Sequence, residues 1–307
     1  MDLSVVVPTL NGREPLSDAL DAVARYVPDA EVVVVNGPST DGTTGMVCER
    51  DDVSALVEIS DRNLNVARNA GLAEATGEVI AFLGEEVAVE ESWYDGIRNA
   101  IADGADVVTG PVHRMVRAGM TTETIETRTI AGRDVTYFSG VNVAFTRDGI
   151  EAVDGFDEAL ETGGARDCAH RLAGLERSIT WAPEVAVRRE DSDEKGVERD
   201  WATKYRSLSY RMVKNYGPRL TVFRRTIHDA VRDARTAGGN VASGDTRPSL
   251  WASCGKEVAK GIAKGSKDGL VARLRDRDET RNPNGLSDRA DRAVERYDWR
   301  EVEPEME

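Results

Sequence analysis

Residues 4–11 read SVVVPTLN, and this stretch sets the interpretation of the whole chain. Its β-branched run predicts a buried strand that ends at Pro8. Two further runs, at residues 31–35 and 78–83, are apolar after an initial glutamate and are separated from the first by stretches with helical spacing. Strands that alternate with helices in this way predict an α/β fold, built as a doubly wound, mostly parallel sheet. Ligands of such sheets bind at the carboxyl ends of the strands.

Polar residues follow these runs, where ligands are expected. Asn36 follows the second run, Gly84-Glu85-Glu86 follows the third, and residues 65–71 between them read NVARNAG. In this order and spacing, these segments and residues 4–11 resemble the sequence motifs of the family 2 inverting glycosyltransferases, which have the GT-A fold. The resemblance implies a pocket for a nucleotide diphosphate sugar, and it covers the chain up to about residue 195.

The resemblance also implies which residues contact the nucleotide. In the family, the motif that matches Pro8-Thr9-Leu10-Asn11 frames the base and the ribose. Asn36 stands where the family has an aspartate that accepts a hydrogen bond from the base. Arg68 suits a diphosphate, because its planar guanidinium makes bidentate contacts, and an ion pair with an acidic neighbour is the alternative. The residues implied as nucleotide ligands are Pro8, Thr9, Asn11, Asn36, Arg68, Asn69 and Arg188.

The segment Gly84-Glu85-Glu86 stands where the family usually carries an aspartate triplet. Carboxylate oxygens suit Mg²⁺ or Mn²⁺, so Glu85 and Glu86 are the predicted ligands of a divalent cation cofactor that bridges the two phosphates. The glycine supplies no ligand. Two alternatives stay open, a solvated acidic loop and a metal-free site in which arginines hold the diphosphate.

The general base of the family is missing from its usual place. Gly155-Phe156-Asp157-Glu158 matches the lead-in to the catalytic Glu-Asp dyad of the family. When the alignment is anchored on Arg171-Leu172, the dyad falls on Gly164-Ala165. Asp167 is the nearby carboxylate that could replace the dyad, and it is the predicted catalytic base. The alternative is that Asp167 caps the helix that begins near Cys168.

Acidic side chains dominate the first part of the chain. The protein has 40 basic and 55 acidic residues, a net charge of −15. Residues 1–195 contain 17 basic and 37 acidic side chains, and no lysine precedes Lys195. Such a surface repels phosphates, which argues against a nucleic-acid partner. An acidic, lysine-poor composition also resembles that of haloarchaeal proteins, which stay soluble where salt screens charges over a few ångströms.

The composition divides the chain into three parts. Residues 1–195 are predicted to form the GT-A-like domain, residues 196–275 a basic helical extension, and residues 276–307 a polar, poorly ordered tail. Residues 202–275 hold 16 basic and 5 acidic side chains. Helices of this kind can lie on an anionic membrane surface, or they can pack on the acidic domain. The sequence leaves both arrangements open.

Neither a window of 18 apolar residues nor a secretory signal is visible in the sequence. We therefore expect a cytoplasmic protein, and the basic helices leave open a peripheral position on the inner face of the cell membrane. The cysteines Cys48, Cys168 and Cys254 have no paired spacing, which disfavours a disulfide framework and a structural zinc.

These observations favour the transfer of a sugar from a nucleotide donor to an acceptor hydroxyl. By analogy, the acceptor is a dolichol-phosphate-linked glycan of surface-layer protein N-glycosylation. The competing hypothesis is a non-catalytic relative that binds a nucleotide sugar or a glycan and supports an active partner, because both the aspartate triplet and the dyad are missing. A sugar-1-phosphate nucleotidyltransferase is excluded, since its Gly-rich, basic first loop and downstream lysine are absent.

Overall fold

The computed structural model describes residues 1–300 except 117–118, 123, 191–199, 243–247, 279 and 281. Strands and helices alternate in the first part: β1 (Leu3–Thr9), α1 (Arg13–Tyr26), β2 (Glu31–Asn36), α2 (Thr43–Cys48), β3 (Ala55–Ile59), α3 (Leu64–Glu74), β4 (Val79–Leu83), β5 (Val87–Val89), α4 (Trp93–Ala102), β6 (Val107–Thr109) and β7 (Val112–Val116). The middle part contains β8 (Gly119–Thr122), β9 (Glu126–Ile130), β10 (Arg133–Tyr137), β11 (Asn142–Thr146), α5 (Arg147–Glu151), α6 (Gly164–Gly174), β12 (Ile179–Trp181) and β13 (Val187–Glu190). The last part contains α7 (Trp201–Tyr216), α8 (Leu220–Ala242), α9 (Pro248–Arg275), a 3₁₀ turn (Leu286–Asp288) and β14 (Ala293–Asp298).

An eight-stranded sheet runs through the molecule in the order β12-β6-β11-β4-β1-β2-β3-β14. Its centre, β4-β1-β2-β3, is parallel, whereas β11 and β14 run antiparallel to their neighbours. Thr9 lies beside Asn36 where β1 and β2 end, and β4 ends next to β1. The prediction of a mostly parallel, doubly wound α/β sheet is confirmed, and the loops after β1, β2 and β4 meet at one edge.

The valine runs of β1 and β2 are buried because both faces of the sheet are covered. Val6 packs toward α3 on one face, and Val5 and Val7 pack toward α1 on the other. Burying each such side chain contributes about 1.5–3 kcal/mol before the entropy of folding is counted. Helix α3 lies unusually close to the sheet, since a Cβ on Gly71 would stand 2.3 Å from a methyl carbon of Val6.

Two smaller β units flank the carboxyl edge of the central sheet. One is a four-stranded sheet in the order β5-β13-β7-β8, which carries β13 in its middle. The other is the hairpin β9-β10, whose strands pair from Ile130 with Arg133 to Glu126 with Tyr137. Helix α6 packs on this hairpin. These units place β13, α6 and the hairpin around the edge where ligands are expected.

The predicted helical C-terminal extension is present as α7, α8 and α9, and its predicted start at residue 196 lies outside the described residues. Helices α7 and α9 pack backbone against backbone through a glycine at every fourth position of α9. A Cβ on Gly261, Gly265 or Gly269 would lie 2.6, 2.1 or 2.4 Å from the carbonyl oxygens of Ala202, Arg206 and Tyr210. Any larger residue would therefore push the two helices apart. No helix of the described ranges is long and apolar enough to span a bilayer.

The prediction of a poorly ordered tail at residues 276–307 is wrong for its described part. Strand β14 pairs antiparallel with β3 and completes the central sheet. Arg292 is 6% exposed, forms an ion pair with Glu158 and donates to the carbonyl oxygens of Gly285 and Leu286. The polar composition misled the prediction because the tail is held by ion pairs with the acidic domain, and those partners lie far away in sequence. Residues 301–307 lie outside the described residues.

Candidate functional site

A cavity of about 190 Å³ opens at the carboxyl edge of β1, β2 and β4. The loop after β1 and the start of α3 form its walls, and Glu85 closes one side. Its lining residues are Pro8, Thr9, Leu10, Gly37, Ile59, Asp61, Arg62, Asn63, Leu64, Ala67 and Glu85. Of the implied nucleotide ligands, Pro8 and Thr9 line this cavity directly.

Glu85 bridges the loop after β4 to the loop after β1. Its carboxylate accepts from the hydroxyl of Thr9 and from the backbone N–H of Leu10 at 3.2 Å. Gly12 permits this contact, because a Cβ there would overlap the carboxylate. Burial raises the pKa of Glu85, and the nearby charges of Glu86 and Asp41 raise it further, against the two hydrogen bonds that lower it. The carboxylate is therefore held in the cavity wall by Thr9 and Leu10.

Asn11 and Asn36 join the loops after β1 and β2. Asn11 has a left-handed backbone, with φ of 54°, and its side chain accepts from the N–H of Thr40 at 2.8 Å. Asn36 is 1% exposed; its amide donates to Thr44 at 3.0 Å and accepts from Ser39 at 2.6 Å. The implied contact between Asn36 and a base is not supported, since both ends of its amide are engaged within the protein. Asn11 and Asn36 were expected to line the cavity, but they lie outside its lining and hold the two loops together.

Arg189, and not Arg188, faces the loop after β4. Successive side chains of a strand point to opposite sides, so only one of the two arginines of β13 can reach that loop. The guanidinium of Arg189 lies 3.5 Å from the carboxylate of Glu86, whereas Arg188 is exposed. The implied phosphate contact therefore suits Arg189 better than Arg188. Because every second side chain of a strand lies on the same side, counting from the buried Val187 would have placed Arg189 on that side.

The two glutamates do not form a metal site as they are arranged. Their carboxylates suit a hard divalent cation, but Glu85 is engaged by Thr9 and Leu10, and Glu86 is paired with Arg189. In the part of the chain that the structure describes, no three His, Cys, Asp or Glu side chains come together as a metal-binding group. Cation binding would require both side chains to leave these partners.

Arg68 and Asn69 follow each other on α3, but they have different surroundings. Asn69 is fully buried, donates to the carbonyl oxygen of Phe156 and to Glu158 at 2.8 Å each, and accepts from the N–H of Phe156. It fastens α3 to the loop before α6, so the implied nucleotide contact of Asn69 does not fit.

Arg68 points toward the loop after β10 and the first turn of α6. It donates to the carbonyl oxygen of Gly140 at 2.7 Å, and its guanidinium lies over the ring of Phe156. Burial lowers the pKa of Arg68 to about 10, which the charge of Glu86 partly opposes. Its Nε is buried and has no hydrogen-bond partner among the described residues. A cation that is desolvated and only partly paired is suited to an anionic ligand.

Asp167, the predicted base, lies in a closed ion cluster. It is fully buried and accepts from Arg171 at 2.9 Å, from Lys214 at 2.7 Å and from Asn215 at 2.8 Å. Burial opposes its charged form, but Lys214 and Arg171 outweigh this effect and hold the pKa of Asp167 well below its usual range. A carboxylate without solvent access and with a depressed pKa cannot accept a proton from a bound hydroxyl at neutral pH. The prediction for Asp167 is therefore corrected to a structural role.

Lys214 is the residue of this cluster that the sequence did not reveal. It is 0% exposed and donates to Asp157 at 2.5 Å as well as to Asp167. Tyr210 also donates to Asp157, at 2.8 Å. In a chain with only seven lysines, the available signal was a lysine beside the apolar Met212 and Val213 in the last turn of an amphipathic helix. The cluster ties α6 and the loop before it to α7.

The sequence of this chain is similar to those of known glycosyltransferases. Residues 4–146 match the family described as Glycosyl transferase family 2. Over 199 residues the chain is 28% identical to glycosyltransferase AglE of Haloferax volcanii, which covers 60% of this chain and 65% of AglE. It is 22% identical to the pre-mycofactocin glycosyltransferase of Mycobacterium tuberculosis over 65% of this chain and 44% of that protein. The matches thus span less than two-thirds of these relatives.

Solved structures with the same fold cover most of the chain. The structure of residues 1–349 of TarS from S. aureus, in complex with UDP-GlcNAc, matches 90% of this chain and 91% of that chain, with a TM-score of 0.64 and 15% identity. The mannosyltransferase PcManGT from Pyrobaculum calidifontis, in complex with GDP-Man and Mn²⁺, matches 90% and 88%, with a TM-score of 0.54 and 20% identity. At these identities the likeness establishes the GT-A fold alone.

Proposed function

We propose that the chain transfers a sugar from a nucleotide diphosphate sugar to an acceptor hydroxyl, because residues 4–146 match the family described as Glycosyl transferase family 2. The observation that carries the proposal is the convergence of the loops after β1, β2 and β4 on one cavity. Pro8 and Thr9 form the wall on which a base and ribose would lie. The neighbouring structures that hold UDP-GlcNAc and GDP-Man support a donor of this class.

The diphosphate of the donor is assigned to Arg68 and Arg189. Both guanidiniums lie beside the loop after β4, where Glu86 is the acidic partner of Arg189 and contributes to the charge around Arg68. Arginine forks hold phosphate oxygens bidentately, and in a site shielded from water they stabilise the negative charge that develops on the leaving diphosphate. A divalent cation would join this arrangement only after Glu85 leaves Thr9 and Glu86 leaves Arg189.

The acceptor in this proposal is a lipid-linked glycan, such as a dolichol-phosphate-linked glycan in protein N-glycosylation, and the protein binds the inner face of the membrane. Helix α8 supports this, because Leu220, Ile227 and Val231 form an exposed apolar stripe, 74%, 54% and 42% exposed. Arg224, Arg232 and Arg235 flank the stripe on the same helix. Such a helix lies in an anionic bilayer surface. The similarity to a Haloferax protein and the lysine-poor, acidic composition support a haloarchaeal setting.

Calorimetric titration with UDP, GDP and dTDP, with and without Mn²⁺, tests the donor site. We expect one nucleotide to bind, and Arg68→Gln to weaken its affinity about tenfold or more, as expected when a charged hydrogen bond to phosphate is lost. Arg98→Gln is the matched control, because Arg98 lies on the exposed face of α4, paired with Asp95. Binding of none of the three nucleotides would overturn the proposal. Binding that requires Mn²⁺ would show that the two glutamates rearrange around a cation.

Sedimentation with lipid vesicles tests the membrane surface. We expect the protein to bind vesicles that contain phosphatidylglycerol more strongly than vesicles of pure phosphatidylcholine, and Val231→Asp to weaken this binding. Val294→Asp is the control, since Val294 is 71% exposed on β14, far from α8 in sequence. Equal binding by both variants and the wild type would remove α8 from the proposed surface.

The second candidate is the non-catalytic, sugar-nucleotide-binding relative. One observation favours it: the first turn of α6 presents glycine and alanine where a base is expected, and Asp167 is closed to solvent. The two candidates differ in a donor-hydrolysis and transfer assay after the nucleotide is known. Slow release of sugar to water or acceptor, abolished by Arg68→Gln, supports the enzyme. Tight nucleotide binding without any turnover supports the binding protein.

A further inference from the structure

A second cavity, of about 310 Å³, lies between α6, α7, α8 and the hairpin β9-β10. Its wall is unusually basic for a domain with so many acidic side chains. Six cations line it, Arg128, Arg166, Lys204, Arg211, Arg225 and Arg232, against two carboxylates, Asp229 and Asp233. None of these residues was singled out as a ligand by the sequence.

The two carboxylates of the wall are already used. Asp233 pairs with Lys204 at 2.6 Å, and Asp229 pairs with Arg232 at 3.3 Å. Outside the wall, the described residues add one carboxylate that pairs with these arginines, Glu126, which is shared by Arg128 and by Arg166 at 3.1 Å. The positive charge of the cavity therefore exceeds what the surrounding acids neutralise.

Arg211 forms no ion pair within the described part of the chain, and the charge of Asp167 compensates it only in part. Its Nε is buried and has no hydrogen-bond partner among the described residues. Its Nη1 lies against Gly163, where a Cβ would stand 2.4 Å away, so no side chain at that position can neutralise it. Burial and the charge of Arg166 lower the pKa of Arg211 to about 10. An unpaired buried charge is destabilising unless a ligand supplies the opposite charge.

The neighbours of Arg211 show the same excess of positive charge. His170 lines the cavity, and its Nδ1 is hydrogen-bonded to the hydroxyl of Tyr216 at 2.8 Å. Burial and the charge of Arg211 lower the pKa of His170 to about 3, so its imidazole stays neutral. Arg225 donates to the carbonyl oxygen of Thr129 at 3.3 Å and brings a further guanidinium from α8.

We propose that this cavity binds a phosphate group of the acceptor, held by Arg211, Arg166 and Arg225. Guanidinium forks from three elements surround a tetrahedral, multiply charged oxyanion better than a planar carboxylate. Helix α8 carries Arg225 in the cavity wall and the apolar stripe on its exposed face, so a cavity on one side of this helix would lie within one helix diameter, roughly 10 Å, of a membrane on the other. The inference deepens the proposed function and rests on it for the identity of the acceptor.

Calorimetry with inorganic pyrophosphate tests the phosphate site. The donor pocket is first saturated with the nucleotide that binds it, so that pyrophosphate reports on the second cavity. We expect Arg211→Gln to weaken pyrophosphate binding at least tenfold, whereas Arg98→Gln leaves it unchanged. Unchanged affinity in Arg211→Gln overturns the proposal.

Thermal unfolding separates a ligand-binding role of Arg211 from a structural one. Because a partly buried charge without an ion pair is removed, free Arg211→Gln should melt at or above the temperature of the wild type but lose the rise that pyrophosphate produces. A lower melting temperature with the pyrophosphate response retained assigns Arg211 a structural role and overturns the proposal. Should Arg211→Gln fail to fold, Arg225→Gln on α8 gives the same test.

Farnesyl phosphate distinguishes the source of the phosphate. Tighter binding of farnesyl phosphate than of inorganic phosphate supports a lipid-linked phosphate, and equal binding supports a soluble one. In either case we expect Arg211→Gln to lose the binding of both ligands. Nucleotide affinity is measured in the same variants. If the wild type binds a nucleotide but shows no response to phosphate, only this inference is contradicted. If the wild type binds no nucleotide, the proposed function is contradicted.

Discussion

The loops after β1, β2 and β4 hold their polar side chains around a cavity that opens to solvent, whereas the polar side chains of α6 and α7 meet in a core that excludes it. Both regions contain a carboxylate in a motif position. Glu85 lies in the cavity wall with a raised pKa, and Asp167 lies among cations with a depressed pKa. The difference shows that the partners supplied by distant elements, and not the motif position, decide whether a carboxylate can take part in chemistry.

Removal of Lys214 should produce the largest effect on stability. Lys214→Met leaves Asp157 and Asp167 buried without their shared cation, and breaking a buried pair in this way costs about 3–5 kcal/mol. Denaturant unfolding measures the loss. Lys204→Met is the control, since Lys204 is 49% exposed and its ion pair with Asp233 is worth about 1 kcal/mol or less. Equal losses in the two variants would contradict the contrast between a closed cluster and a solvated surface.

Acid should weaken the closed cluster but not the cavity wall around Glu85. The pKa of Asp167 is lower in the folded protein than in the unfolded chain, so its contribution to stability is complete above the unfolded value of about 4 and is lost as the pH falls below it. The free energy of unfolding, measured from neutral pH down to about pH 3, should therefore fall less steeply in Asp167→Asn than in the wild type. Parallel curves for the two proteins would contradict the assigned pKa direction.

Glu85→Gln should change stability least, and with the opposite dependence on pH. The folded pKa of Glu85 is raised, so stability in the wild type declines as the pH rises through that pKa. Glutamine keeps an oxygen for Thr9 and Leu10 and carries no charge to bury. We expect a gain within about 0.5 kcal/mol that appears only at the higher pH. Glu86→Gln, which loses the ion pair with Arg189, should give no gain, and a gain there would weaken the comparison.

The sequence predicted the central sheet because valine runs that end at Pro8 and Asn36 carry a local signal for buried parallel strands. It predicted the place of the cavity for the same reason, since strand ends can be counted along the chain. The sequence could not predict the partners of individual side chains. Asp167, for example, accepts from Lys214 of another helix, 47 residues away. Asn69 likewise meets Phe156 87 residues away. Such contacts depend on how elements pack, which one-dimensional spacing does not contain.

The placement of β14 beside β3 also has a consequence in time. Ile59 of β3 pairs with Ala293 of β14, so the two strands lie more than two hundred residues apart along the chain. At a synthesis rate of about 5–20 residues per second, β3 leaves the ribosome roughly ten to fifty seconds before its partner is made. During that interval its edge is a template for wrong pairing. We expect a chain paused before residue 293 to depend on chaperones, and to lose that dependence once β14 has been translated.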